Sequence, residues 1–107
     1  MPGNRGIRMK MAFVVHSEYR TAQVMQLLKE VAIDYYTRWD QALGKGAGTE
    51  PHLGSGAFGS TNTVLMIAFE DEQALRLLIE HVRALNAETR RSDDKIRLFQ
   101  LPLECIV

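Results

Sequence analysis

The residues Thr63-Val64-Leu65-Met66-Ile67-Ala68-Phe69 form an apolar run rich in strand-forming side chains. We predict a strand over Asn62–Phe69, because β-branched and aromatic residues pack well on a pleated surface. Successive strand residues point to opposite faces, so this strand is apolar on both faces. It is therefore expected in the middle of a sheet and covered on both sides.

A helix is predicted on the C-terminal side of this strand. Asp71 is a suitable N-cap for it. Its apolar residues recur at helical spacing, and they are Leu75, Leu78, Ile79, Val82 and Leu85. A charged turn over residues 90–94 then leads into a fourth strand over residues 96–101. Pro102 is expected to end that strand, because proline has no N–H for a sheet ladder.

A glycine-rich segment precedes the apolar run. Residues 44–59 hold six of the eight glycines in the chain, which is typical of a loop that is either mobile or shaped around a ligand. Before it, residues 35–43 are predicted to form a second strand with Tyr35, Thr37 and Trp39 on one side.

The N-terminal part is predicted to contain a strand and a helix. The strand covers residues 10–16, and Ser17 is a plausible N-cap for the helix, with Glu18 in its first turn. The buried helical face is expected at i, i+3, i+4 and i+7, which are Val24, Leu27, Leu28 and Val31. Residues 1–8 are expected to be a flexible tail, and residues 9–107 a single domain with a long loop at 44–61.

The element order is therefore βαββαβ, an α+β, ferredoxin-like arrangement. It gives a four-stranded antiparallel sheet with two helices on one face. Since the third strand is apolar on both faces, we expect further copies of the same chain to cover the other face.

Composition excludes several classes of protein. The 107 residues suit one domain, and 46% apolar with 24% charged residues is typical of a globular chain. Thirteen basic residues balance thirteen acidic ones, which gives no electrostatic case for a nucleic-acid binder. No apolar run approaches the length of a membrane span. The single cysteine, Cys105, makes a cytoplasmic location the expectation.

The chain resembles the PII signal-transduction family over residues 10–102. Leu43-Gly44-Lys45-Gly46 is similar to the Gly-x-Gly at the base of the family's long loop, and Asp93-Asp94-Lys95-Ile96 to its phosphate-binding Gly-Asp-Gly-Lys-Ile turn. The element order also agrees. The resemblance implies a homotrimer that binds a small effector between subunits and regulates a partner protein, such as a membrane transporter, through the loop.

The sequence also departs from the family. Ser92 and Asp94 stand where the phosphate turn has glycines, and Gly48 stands where the family has a glutamine that helps to hold metal and 2-oxoglutarate. The loop lacks the tyrosine that is uridylylated in enteric members. The resemblance is therefore to the broader PII-like group, whose members sense nucleotides, bicarbonate or metals.

Two cationic segments are candidates for an anion site. Gly44, Lys45 and Gly46 could offer backbone N–H groups to a phosphate or carboxylate, or could form only a flexible hinge. Lys95 and Arg90 could offset phosphate charge, or could form surface salt bridges worth about 0–1 kcal/mol each. Arg38, from a neighbouring subunit, could reach the same cleft. An adenine nucleotide is the candidate effector, and no cofactor is required.

Glu50 and His52 are candidate ligands for a divalent metal, with the alternative of an exposed loop. Two ligands make a weak site, although three loops meeting on a threefold axis would supply more. His16 and His81 are interpreted as structural or surface residues. No catalytic set of side chains can be recognised, so we predict that the chain is not an enzyme.

Three functions remain open from the sequence. The favoured one is a PII-like sensor of a small anion. The alternatives are a trimer resembling the divalent-cation tolerance proteins, and a small enzyme of the dimeric α/β-barrel kind. A trimer would favour the first two functions, and a dimer the third.

Overall fold

The computed structural model describes residues 6–45 and 61–107. In the first half of the chain, β1 (Ile7–Ser17) leads through a 3₁₀ turn, η1 (Glu18–Arg20), into α1 (Thr21–Glu30). β2 (Thr37–Ala42) follows and leads to the loop.

The second half repeats the strand–helix–strand pattern. β3 (Asn62–Phe69) has the predicted bounds, and α2 (Glu72–Ala87) comes after it. A second 3₁₀ turn, η2 (Ser92–Asp94), precedes β4 (Arg97–Cys105).

The four strands form one sheet in the order β2-β3-β1-β4. Every pairing is antiparallel: β1 pairs with both β3 and β4, whereas β2 pairs with β3 alone. The predicted α+β fold, with βαββαβ order and the third strand inside the sheet, is confirmed.

The hydrophobic core lies between the two helices and one face of the sheet. Its buried apolar side chains are Ala12, Val14, Val24, Leu27, Leu28, Val31, Ile33, Leu65, Ile67, Phe69, Leu75, Leu78, Val82 and Ile96. Both predicted helical faces are thus confirmed, with Ile79 and Leu85 only partly buried. Burying a side chain of this size contributes about 1.5–3 kcal/mol, so this layer holds the helices on the sheet.

The helices begin as the side-chain chemistry indicates, with one change. Asp71 caps α2, because its Oδ1 accepts a hydrogen bond from the Gln73 N–H at 2.8 Å. Ser17 caps η1 and not α1: its Oγ accepts from the Tyr19 N–H at 3.3 Å. The first helix therefore starts at Thr21, later than predicted.

The second strand is shorter than the predicted residues 35–43. Tyr35 was expected on the same side as Thr37 and Trp39, which is wrong. Its ring lies edge-on to Phe69, with centroids 5.9 Å apart, on the helix-covered side of the sheet. The chain has just left the core at Ile33, which is 3% exposed, and it joins the sheet only at Thr37.

The start of β1 and the end of β4 pair with each other, and both strands are longer than predicted. β1 starts at Ile7, before the predicted residue 10, and Ile7 pairs with Cys105. Pro102 does not end β4, which runs on to Cys105. β4 is an edge strand, so alternate N–H groups point away from the sheet, and a proline at such a position costs no ladder bond.

The face of the sheet away from the helices is apolar. Paired residues point to the same side, so the pairs Phe13↔Phe99 and Met11↔Leu101 lie on this face, as does Trp39↔Val64. Trp39 is 47% exposed, Phe99 58% and Leu101 43%. We call this surface the open sheet face.

Candidate functional site

The two described ends of the long loop and the charged turn lie at the same end of the sheet. β1 and β2 end there, at Ser17 and Ala42, and β3 and β4 begin there, at Asn62 and Arg97. This follows from the antiparallel pairing of neighbouring strands. The described residues of the two motifs that carry the family resemblance, 43–45 and 93–96, therefore lie at one end of the sheet.

The two ends of the loop lie side by side at its base. A Cβ added to Gly44 would lie 2.5 Å from Nδ2 of Asn62, so only glycine fits this approach without a shift of Asn62. The Thr61 carbonyl accepts a hydrogen bond from the Glu18 N–H at 3.0 Å. The loop base is thus attached to η1, and Lys45 is exposed beside it.

Several predicted site residues lie outside the described part of the chain. They are Gly46, Gly48 and the metal-ligand candidates Glu50 and His52. Among the described residues, no three His, Cys, Asp or Glu side chains come together as a metal site would require.

The turn before β4 contains no glycine, and backbone and side-chain hydrogen bonds stabilise it. Its backbone closes with hydrogen bonds from the Asp94 N–H to the Arg91 carbonyl at 3.1 Å, and from the Lys95 N–H to the Ser92 carbonyl at 3.3 Å. Arg91 binds Asp93 through Nε and Nη2, at 3.2 and 2.9 Å. The glycine-free turn therefore keeps a defined shape.

Cations without a partner project from this turn. The side chains of Lys95 and Arg90 make no hydrogen bond or ion pair with any residue in the described ranges. Asp94 lies 4.0 Å from Nε of Arg91, which partly offsets its charge. Lys95 and Arg90 therefore lie at the two ends of the same turn, Arg90 exposed and Lys95 half-buried, and neither is paired with a described carboxylate.

Arg20 is a further cation at the turn, and it was not singled out from the sequence. Its Nη1 donates to the Asp94 carbonyl at 3.1 Å and to Oγ1 of Thr89 at 2.8 Å. One signal was present in the sequence: Arg20 is a basic residue in the predicted first turn after Ser17, where the helix dipole favours acidic residues. Such a residue needs a tertiary partner to explain it.

Arg38 lies away from the turn within one chain. It sits on β2, at the sheet edge opposite β4, and its Nη2 pairs with Oδ2 of Asp40 at 3.0 Å. Within a single subunit it does not join Lys95 and Arg90.

His16 belongs to a buried polar cluster near the loop base. It is 2% exposed, and its Nδ1 donates to the Ser17 carbonyl at 2.8 Å. Its Nε2 has no hydrogen-bond partner in the described part of the chain. Burial lowers the pKa of His16 below its usual value of 6.5; the Ser17 carbonyl and Asp40 oppose this, and Arg20 and Arg38 add to it.

Thr63 completes this cluster. It pairs with His16 across the strands, its Oγ1 lies 3.1 Å from Oγ1 of Thr21, and it donates to Oδ1 of Asp40 at 3.3 Å. The interpretation of His16 as a structural residue agrees with its burial. His81 lies on α2, with Nδ1 2.9 Å from the Leu77 carbonyl oxygen.

Within the described ranges, no helix combines the length and the apolar character that a membrane span needs.

Among the comparisons with known proteins, only the solved structures give matches, and they concern the fold. No protein-family model and no curated protein matches the sequence. Among solved structures, the chain is similar to CPII of Thiomonas intermedia K12 bound to ADP and bicarbonate, with TM-score 0.70 and 13% identity over 94% of this chain and 90% of that chain. The form with ADP, AMP and bicarbonate, described as a nitrogen regulatory PII-like protein, gives TM-score 0.64 and 14% identity over 91% of both chains.

A second neighbour is a candidate PII-like signalling protein from Thermus thermophilus. It gives TM-score 0.59 and 15% identity over 94% of this chain and 90% of that chain. The chain therefore has the fold of PII-like proteins, and the resemblance predicted from its element order and two motifs is confirmed at the level of the fold.

Proposed function

We propose that this chain is a PII-like regulatory protein and not an enzyme. It acts as a cytoplasmic homotrimer that binds an adenine nucleotide or a similar small anion at the clefts between subunits. A partner protein, for example a membrane transporter, recognises the ligand-bound state by binding the loop at residues 44–59. The ligand acts by favouring one conformation of the protein over another.

One observation carries this proposal. The loop base with Gly44 and Lys45 lies at the same end of the sheet as the turn with Lys95 and Arg90. The 3₁₀ turn η1 contacts Thr61, at the other end of the loop, and Asp94 of the turn. Because neither Lys95 nor Arg90 has a partner among the described residues, this end can attract an anion.

The structural neighbours support the choice of ligand. CPII has been observed with ADP, AMP and bicarbonate. In this chain Asp94 adds a carboxylate to the turn, which repels additional phosphate charge. We therefore propose a preference for ADP or AMP over ATP.

Arg38 has a place in the proposed trimer. It lies on the edge strand opposite the turn, so it could contribute to the cleft formed with the next subunit. Glu50 and His52 remain the candidates for the alternative function, a metal-binding trimer.

The test is a thermal-shift titration of the full chain with ADP, AMP, ATP and bicarbonate. ADP at one hundred times its Kd should stabilise the fold by about 2.7 kcal/mol. Lys95→Ala should remove most of this shift and leave the oligomer intact, because the side chain makes no hydrogen bond or ion pair with any described residue. Lys29→Ala, an exposed lysine on α1, is the matched control and should behave as wild type.

Two results would contradict the proposal. The first is that no nucleotide or carboxylate raises the melting temperature, whereas Zn²⁺ does and His52→Ala abolishes that effect. This would make the protein a metal-binding trimer. The other is a dimer in solution, which would favour the small-enzyme alternative.

A further inference from the structure

Arg20 lies directly against the peptide that joins Asp94 to Lys95. Its Nη1 donates to the carbonyl oxygen of Asp94 at 3.1 Å. The same nitrogen donates to Oγ1 of Thr89 at 2.8 Å, and Nε donates to Oε1 of Gln23 at 3.1 Å. The guanidinium is thus held in place from three sides beside the lysine of the turn.

The three acceptors of Arg20 are all neutral. No carboxylate in the described ranges forms an ion pair with Arg20, whereas the neighbouring Arg91 is paired with Asp93 at 2.9 Å. Among the described residues, no carboxylate contact therefore compensates the positive charge of Arg20 at the turn. Its Nη2 also has no hydrogen-bond partner among the described residues, so two N–H donors remain for a ligand.

The position of Arg20 is not explained by helix stability. It is the N-cap of α1 and makes no side-chain capping bond. A cation at this end of a helix is unfavourable because the first turn carries the positive end of the helix dipole. An anion bound beside Arg20 would be attracted both by its guanidinium and by the positive end of the helix dipole, and would offset their repulsion.

We propose that Arg20 binds phosphate together with Lys95. Lys95 supplies a point charge, and Arg20 donates from Nη2 to the phosphate oxygens, as guanidinium groups do in phosphate sites. The ligand class is the pyrophosphate or phosphate group of a nucleoside diphosphate or monophosphate. This inference rests on the proposed function and adds a specificity-determining residue to it.

The test separates phosphate contacts from contacts to the nucleoside. Isothermal titration compares ADP, adenosine and inorganic pyrophosphate with wild type and Arg20→Gln. Arg20→Gln should weaken ADP and pyrophosphate by about tenfold or more, since a charge-assisted bond is lost, while adenosine affinity changes by less than about twofold. A purely structural role would change all three affinities alike.

Two further variants sharpen the experiment. Arg76→Gln removes an exposed arginine from α2, away from the turn, and should change no affinity by more than about twofold. Arg20→Lys keeps the charge and loses the planar donor geometry. Arg20→Lys should weaken ADP binding by about threefold to tenfold and leave adenosine binding unchanged. This variant replaces Arg20→Gln in the test if Arg20→Gln does not fold.

Each outcome decides the inference. If wild type binds ADP and the ADP-to-adenosine affinity ratio is the same in both Arg20 variants, Arg20 is not a phosphate ligand and the proposed function still stands. If wild type binds pyrophosphate through Arg20 but not ADP, the anion site stands and the nucleotide assignment is wrong. If wild type binds none of the three probes, Arg20 is not a phosphate ligand, and the bicarbonate titration then decides separately whether the proposed function stands.

Discussion

His16 illustrates how one residue can link stability to pH. Its imidazole is buried, and its bond to the Ser17 carbonyl fixes the proton on Nδ1. The charged groups that act on it are Arg20, Arg38 and Asp40. Because burial and the two arginines disfavour the charged ring, the folded chain holds His16 neutral at pH values where the unfolded chain begins to protonate it.

We predict that wild type loses stability faster than His16→Gln as the pH falls. The folded pKa lies below 6.5, so the contribution of His16 is fully present above about pH 6.5. It is lost as the pH falls from that value towards the folded pKa. The slope for one proton is at most about 1.4 kcal/mol per pH unit.

The measurement is urea denaturation between about pH 7.5 and 5.5 at one protein concentration. At the upper limit histidine is neutral in both the folded and the unfolded chain, and below the lower limit carboxylates begin to titrate as well. His81→Gln controls for the removal of a histidine as such. Equal slopes for wild type and His16→Gln would show that His16 titrates alike in the folded and unfolded chain.

At the scale of elements, Asn86 joins the last turns of α2 to the start of β4. Its Nδ2 donates to the Ile96 carbonyl, and its Oδ1 accepts from the Ile96 N–H, both at 2.8 Å. Ile96 is 2% exposed, so losing these bonds would leave buried backbone groups unpaired. The pair fixes where the fourth strand begins and therefore where Lys95 is presented.

Asn86→Ala should lower the free energy of unfolding by about 2 kcal/mol, because it leaves both backbone groups of Ile96 without a partner. Chemical denaturation at one protein concentration measures the change. Gln26→Ala, an exposed α1 residue with no partner in the described ranges, should stay within about 0.5 kcal/mol of wild type. A similarly small change for Asn86→Ala would mean that Ile96 finds other partners.

At the scale of the whole molecule, the described part of one chain leaves apolar side chains of the open sheet face exposed. Phe99 and Trp39 are about half exposed, at 58% and 47%. Apolar sheet faces of this extent mark association surfaces in proteins. In the proposed trimer, this face meets further copies of itself, which also brings the turn of one subunit near the next.

We therefore predict a homotrimer in solution, with a mass of about three times the 12.1 kDa of one chain by light scattering after gel filtration. Phe99→Asp should dissociate it, because a charge in an apolar interface must be desolvated. Leu77→Asp, at an exposed position on α2, is the matched control and should remain trimeric. A monomeric wild type at micromolar concentration would exclude the trimer.

The sequence by itself determined the elements and their order. The apolar run of β3 and the helical faces of α1 and α2 are local patterns, and periodicity alone predicts which of their sides is buried. The Asp71 cap is equally local, because its acceptor and donor lie two residues apart. The loop base and the Lys95 turn were also recognised from short motifs.

Only the tertiary structure decided the contacts that complete the site. Arg20 meets Thr89 and Asp94 across separations of 69 and 74 residues, and no local pattern encodes such a pair. The same holds for the extension of β4 through Pro102, which depends on β4 being at the edge of the sheet. Side-chain periodicity determines which face of an element is buried, whereas polar partners depend on which elements the fold brings together.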